Sequence, residues 1–221
     1  MAGAVLFDID GTLVDSNYLH VTAWLRAFHD VNHPVDAWRI HRGIGMGSSQ
    51  LLADLLGEAA DRIGSQAKQR HSEHYQRAAH LLRAFDGARE LVAAVAQHGA
   101  RVVLASSAPP EELEILRSVL NIENAVAEIT GAGDVEAAKP APDLVDVALQ
   151  RAGVSANRAI FIGDTVWDVQ ACSKAGVPCV CVLSGGISAD KLTEAGAVAV
   201  YEDCQTLLRE LDTSPLASVW Y

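Results

Sequence analysis

Ala4-Val5-Leu6-Phe7-Asp8-Ile9-Asp10-Gly11-Thr12-Leu13-Val14-Asp15 is a short apolar run that ends in two aspartates one residue apart, then a glycine and a threonine. Its length and unbroken apolar character are those of a strand buried on both faces of a parallel sheet. Alternate residues of a strand share a face, so Asp8 and Asp10 project together past its end while Ile9 turns the other way. Two carboxylates aimed at one spot repel each other unless a cation or a shared proton relieves them. A plain turn competes with this reading, because Asp and Gly are common where strands stop. The rest of the chain decides between the two.

From Ser16 the pattern turns helical, with Tyr18, Val21, Leu25 and Phe28 at helical spacing and Ser16 as the expected N-cap. A short helix is expected over about residues 36–41, followed by the glycine-broken stretch Arg42-Gly43-Ile44-Gly45-Met46-Gly47. Ser48 or Ser49 then opens a helix carrying Leu51, Leu52, Leu55 and Leu56, and a polar helix follows over about 58–82. Residues 16–83 therefore read as a helical cap domain, inserted into a core made of residues 1–15 and 84–221. That core alternates: strands are expected at 101–105, 125–130, 159–162, 178–183 and 197–201, with helices between them and a loose tail from about Thr213. This is the pattern of an α/β fold, a Rossmann-like parallel sheet with helices on both faces. Ligands of such sheets sit at the carboxyl ends of the strands. The first strand delivers Asp8 and Asp10 there, the second Ser106, the fourth Asp164, and Lys139 lies in the loop after the third.

Composition narrows the partners. A formal net charge of −11 argues against nucleic acid as a partner, and any anion site must be built locally. Neither a signal peptide nor an apolar run long enough to span a bilayer is evident, so a cytoplasmic protein with no membrane partner is expected, a monomer or homodimer. The four cysteines, Cys172, Cys179, Cys181 and Cys204, have no Cys-x-x-Cys spacing and read as buried reduced thiols. His71 and His74 share a helix face but lack a third ligand, so they read as a solvated face rather than a metal site.

Asp8-Ile9-Asp10-Gly11-Thr12, Ser106 after its strand, Lys139 before Pro140-Ala141-Pro142, and Gly163-Asp164-Thr165 with Asp168 resemble, in order, the four motifs of the haloacid dehalogenase superfamily. The helical insert resembles that superfamily's small helical (C1-type) cap, and the likeness is greatest to its phosphoglycolate phosphatases and beta-phosphoglucomutases. The resemblance implies a Mg²⁺-dependent phosphatase acting on a small phosphorylated metabolite. It gives Asp8 the role of nucleophile, forming a phospho-aspartate that water hydrolyses, and Asp10 that of acid and then base. Asp8, the Asp10 carbonyl and Asp164 would hold the metal, an all-oxygen set suited to Mg²⁺. Asp168 would orient a metal-bound water. Lys139 pairs with Asp8 and a phosphoryl oxygen, while Ser106 and the backbone near Ser107 complete the phosphate cradle.

Each residue alone has a plainer reading: Ser106 as a helix cap, Lys139 as a loop lysine, Asp168 as an acid in a helix's first turn. The constellation favours function. An acid two residues past the nucleophile, as at Asp10, is the pattern of the phosphatases and phosphomutases of that superfamily, so dehalogenation is not expected. Asn17, His20 and Arg42 are the insert's candidates for touching substrate, with a simple helix joint as the competing reading of Arg42 and its glycines. A sugar phosphomutase is the alternative function, because His20 sits where beta-phosphoglucomutases carry a histidine. A receiver-type signalling domain and an inactive binding protein are the remaining alternatives.

Overall fold

The computed structural model describes residues 3–135 and 137–220. At the centre of its sheet runs β1 (Ala4–Phe7), apolar on both sides, all four residues without solvent exposure. Around it lie β2 (Arg101–Ala105), β3 (Glu128–Thr130), β4 (Ala159–Gly163), β5 (Cys179–Val182) and β6 (Ala199–Tyr201). Among the described residues these form one sheet in the order β3-β2-β1-β4-β5-β6, with every pair parallel. The chain steps outward from β1 first to one side and then to the other, and such a reversal opens a crevice beside the central strand's carboxyl end.

The period-two alternation divides the core. Val5, Phe7, Val102, Leu104, Ile160 and Ile162 face α5 (Ala88–Gln97), α6 (Pro110–Leu120) and α10 (Cys204–Arg209). Leu6, Val103, Phe161, Cys179 and Cys181 face α7 (Asp143–Ala152), α8 (Val166–Ala175) and α9 (Ala189–Ala195). Each large side chain fully buried there contributes roughly 1.5–3 kcal/mol of transfer free energy. All four cysteines are buried and free, as small hydrophobes in this core.

Between β1 and α5 the chain forms α1 (Asn17–Asp30), α2 (Ala37–Gly43), α3 (Ser48–Leu56) and α4 (Ala60–Ala78). These helices have their own apolar cluster, with Trp24, Phe28, Ile40, Leu51, Leu55 and Ile63 in it. They also bond to the sheet's carboxyl end: His41 Nε2 lies 3.0 Å from the Gly185 carbonyl, and Trp167 Nε1 donates to the Arg42 carbonyl at 3.0 Å. The insert thus covers the strand ends that carry Asp8 and Asp10.

Three local expectations change. Ser16 precedes α1 but caps nothing with its side chain; its hydroxyl donates instead to Asp10 Oδ1 at 2.6 Å. The charge-assisted bond to Asp10 aims the hydroxyl at the site, away from the first amides of α1. The third strand starts at Glu128 rather than 125, because Glu123–Ala125 closes into a 3₁₀ turn. The segment after Thr213 is no loose tail: Pro215–Val219 forms a 3₁₀ helix, and Leu216, Val219 and Trp220 are buried in the core. The Val219 carbonyl accepts from Gly3 N, and the Trp220 ring stacks on His98. Tyr221 lies outside the described residues.

Candidate active site

Where β1 ends, the backbone turns at Gly11 with φ +72°, a left-handed conformation natural to glycine. A Cβ on Gly11 would run into the Asn17 amide and the Asp164 carboxylate. The bare backbone therefore lets the side chains of Thr12, Asn17 and Asp164 converge. Thr12 Oγ1 donates to Asp164 Oδ1 at 2.9 Å, and Asn17 Nδ2 donates to Asp164 Oδ2 at 2.8 Å. Asn17 thus positions an acid instead of facing the cavity.

Lys139 is 1% exposed, an extreme burial for an ammonium, and its surroundings explain it. Its Nζ lies 2.7 Å from Asp8 Oδ1 and 2.7 Å from Asp168 Oδ1, with hydrogen-bond alignment only to Asp8. Burial alone would lower the lysine's pKa, but the Asp168 and Asp8 charges outweigh it and hold the ammonium charged. Asp168 Oδ2 accepts from the Thr165 amide at 3.0 Å and the Thr165 hydroxyl at 2.6 Å, and Thr165 and Asp168 form a capping box on α8. The expected first-turn acid and the expected functional acid are therefore the same residue, with one oxygen for each task.

The carboxylates are not satisfied by Lys139 alone. Burial, then the Asp168 and Asp10 charges, push the Asp8 carboxyl up to about 7 even with the lysine beside it. Burial and the charges of Asp168 and Asp8 push Asp164 well above the carboxylate range, against its Thr12 and Asn17 hydrogen bonds. Asp8, Asp164 and Asp168 each bring an oxygen to one spot, the three atoms within 4.8 Å of one another. Buried oxygens short of positive charge are a donor set that a hard divalent cation fits. Asp168 is thereby part of the metal-sized cluster as well as the lysine's partner.

Asp10 differs from Asp8. Burial raises its carboxyl, but the hydrogen bond and charge of His20 and the Ser16 hydroxyl outweigh that and lower it. His20 Nε2 lies 3.3 Å from Asp10 Oδ1, and His20 Nδ1 lies 3.1 Å from His71 Nε2. Burial lowers the His20 pKa, yet Asp10 and then Glu112 raise it overall, so the Asp10–His20 pair keeps a proton on the imidazole side. His71 is buried, not on a solvated face: it stacks on Trp24 and lies 3.9 Å from Glu112. Burial and the His20 charge hold it neutral. His74 does point outward, to Asp30 at 2.8 Å.

A cavity of about 90 Å³ opens beside Asp8, Asp10, His20 and Lys139, room for several waters. Ser107, Ala108 and Pro109 form its core wall, and Trp24, Ile44, Met46 and Leu51 its apolar roof. Ser107 Oγ is buried without a partner among the described residues, a hydroxyl left for a ligand oxygen. Ser106 lies deeper: its Oγ accepts from Ala108 N at 3.0 Å and sits 3.5 Å from Asp10 Oδ2. It shapes the loop, and α6 begins only at Pro110, so Ser106 is not a helix cap either. Arg42 does not reach this cavity. Its guanidinium lies over the Trp38 ring and lines a separate pocket with Gly186, Ile187 and Ser188, in the loop after β5. Asp8, Asp10, His20, Ser107, Lys139, Asp164 and Asp168 lie together at this end of the sheet.

Glu112, Lys68, His71 and Ser48 also line the cavity. Ser48 is among the polar residues at the insert's glycine stretch. Glu112 was legible only as a helix-start acid and Lys68 and His71 only as residues of a polar helix, because the register that turns them inward is set by packing between insert and core.

The sequence profile of the haloacid dehalogenase-like hydrolases matches residues 2–176. A phosphoglycolate phosphatase of Rhodospirillum rubrum is 32% identical over 219 residues, 94% of this chain and 90% of that protein. An N-acetylmuramic acid 6-phosphate phosphatase of Pseudomonas aeruginosa is 28% identical over 217 residues, 95% of this chain and 94% of that protein. The crystal structure of a hydrolase from Pseudomonas syringae superimposes with a TM-score of 0.91 at 35% identity, over 96% of this chain and 98% of that one.

Proposed function

This chain belongs to the haloacid dehalogenase-like hydrolases, and we propose that it is a Mg²⁺-dependent phosphatase of a small organic phosphomonoester, working through a phospho-aspartate. The observation that carries this reading is the juxtaposition at the end of β1. A buried nucleophile, Asp8, is held by Lys139 at 2.7 Å, and an acid–imidazole pair, Asp10 and His20, lies on the same cavity wall.

In the first step an Asp8 oxygen attacks phosphorus and the bond from phosphorus to the ester oxygen breaks. The leaving alkoxide takes its proton from Asp10, which receives it from His20 across their 3.3 Å contact and is left as a carboxylate. In the second step Asp10 accepts a proton from water as that water attacks phosphorus, and the bond to Asp8 breaks, leaving inorganic phosphate and a regenerated carboxylate. Lys139 favours the ionised form of Asp8 and neutralises a phosphoryl oxygen, and Ser107 donates to another. Asp8 and Asp164, with the Asp10 carbonyl, would hold Mg²⁺. When bound it supplies positive charge that offsets the carboxylates and the phosphoryl oxygens. Asp168, whose oxygen shares that cluster, would help to position the ion's surroundings.

We read residues 16–83 as a cap over a discontinuous core of 1–15 and 84–221, and the protein as cytoplasmic, in keeping with its free cysteines. No helix among the described residues is long and apolar enough to cross a membrane. The mutase alternative needs a grip on a second phosphate dianion. Beyond Lys139, Lys68 offers one exposed cation at the cavity, fewer than a second dianion calls for. The testing experiment is phosphate release from a set of phosphorylated metabolites with Mg²⁺, repeated with Asp8→Asn. The reading expects release that the variant abolishes; isomerised sugar phosphate dependent on a bisphosphate primer would overturn it in favour of the mutase.

A further inference from the structure

Glu112 has no task in the chemistry just described. It stands in the first turn of α6, 4% exposed, and lines the cavity that holds Asp8 and Asp10. Its carboxylate makes no hydrogen bond among the described residues; the neutral His71 imidazole lies 3.9 Å away, too long for one. Glu112 nonetheless lines the cavity, which puts its carboxylate within reach of an occupant. An open acceptor on a buried wall is a demand for a donor from whatever occupies the space. Lys68, on α4 of the insert, faces the same cavity, but its side chain is exposed and it also lines the outer groove of about 550 Å³ that shares Ser48, Ser107 and Pro109 with the cavity.

We propose that Glu112 sets the substrate class: it accepts a hydroxyl hydrogen bond from the body of the phosphomonoester and excludes bodies that carry a carboxylate. The inference rests on the phosphatase reading and concerns the part of the substrate that leaves. A hydroxyl donates to Glu112 and can accept from Lys68 at once, so a polyol or sugar phosphate satisfies both. A carboxylate can only accept. It meets Lys68 across solvent, where the attraction is screened, and Glu112 inside the cavity, where the repulsion is not. The buried, unscreened interaction decides. The continuity of the cavity with the outer groove gives the longer polyol room to extend.

Matched pairs of esters test this in the wild-type protein. 2-Hydroxyethyl phosphate differs from 2-phosphoglycolate, and glycerol 3-phosphate from 3-phosphoglycerate, only by hydroxymethyl against carboxylate. With Mg²⁺ present, kcat/KM from phosphate release is expected to favour the hydroxymethyl member of each pair by on the order of tenfold or more. Glu112→Gln keeps the shape and removes the charge, and should shrink that ratio several-fold, through KM and kcat/KM for the carboxylate members. Equal rates or a preference for the carboxylate members in wild type would overturn the inference, as would a ratio that Glu112→Gln leaves unchanged. If the variant does not fold, the wild-type ratios decide alone. Release from none of the four esters nor from p-nitrophenyl phosphate would overturn the phosphatase reading and this inference with it; release with the wrong preference overturns only the inference.

Discussion

Lowering the pH should weaken Mg²⁺ binding by an amount the buried carboxylates fix. Asp8 is raised to about 7 in the metal-free protein by burial and its acidic neighbours. A carboxylate must lose its proton to hold a cation, so below that value each pH unit weakens the apparent affinity about tenfold. Between pH 8 and pH 5 the loss from Asp8 is about 100-fold, or roughly 2.7 kcal/mol at about 1.36 kcal/mol per unit. Asp164, also raised, steepens the slope. The sign in the metal-free protein follows from the same proton: its folded state binds it more tightly than the unfolded chain does. Asp8's contribution to stability therefore falls as pH rises from about 4 to about 7, and saturating Mg²⁺ should remove that fall. Trp24 lines the cavity, so its fluorescence or calorimetry can follow a Mg²⁺ titration at each pH. An ordinary carboxylate would leave the affinity nearly flat above pH 5. A flat profile in wild type, or a slope that Asp8→Asn does not reduce, would refute the reasoning.

Other outcomes follow from the same geometry. Lys139→Met leaves Asp8 and Asp168 buried without their counter-charge, and should cost about 3–5 kcal/mol in urea unfolding of the chelated protein. Gly11→Ala places a side chain at φ +72° against Asn17 and Asp164; a loss of about 2–4 kcal/mol, with weakened Mg²⁺ binding, is expected from melts and titration, and a neutral result would count against the close approach. Leu216→Ala should destabilise by about 2–5 kcal/mol in chemical denaturation, because Leu216 is wholly buried; a cost near zero would return the C-terminal segment to a tail. His71→Phe keeps the stack on Trp24 but removes the 3.1 Å contact to His20. It should lower kcat more for poor leaving groups than for p-nitrophenyl phosphate, whose release needs no proton, and an equal loss on both would deny His71 any part in orienting His20.

The parallel sheet was legible because its strands are apolar on both faces, and β2 and β4 fall at or within a residue of their expected ends. The proposed catalytic set was legible for the same reason: strand ends are fixed in space once the sheet is, and Asp8, Asp10, Asp164 and Lys139 follow it there. What sequence could not settle is direction within the insert. Arg42 looked inward because glycines flank it, whereas α2 packs its Ile40 inward and leaves Arg42 on Trp38. His71 looked solvated because its helix is polar, yet the close pairing of α1 with α4 turns it into the site. Ser16 and Glu112 have helix-end chemistry as their plainest reading, and only tertiary partners reassign them.

The central claim is that Asp8 carries the phosphoryl group, and acid-quenched mass spectrometry tests it most directly. With p-nitrophenyl phosphate the first step needs no proton from Asp10, so Asp10→Asn should form the phospho-enzyme and hydrolyse it slowly. The account predicts a phosphoryl adduct on the peptide containing Asp8, transient in wild type and accumulating in Asp10→Asn. Turnover with the adduct on another residue, or with none in either protein, would contradict it.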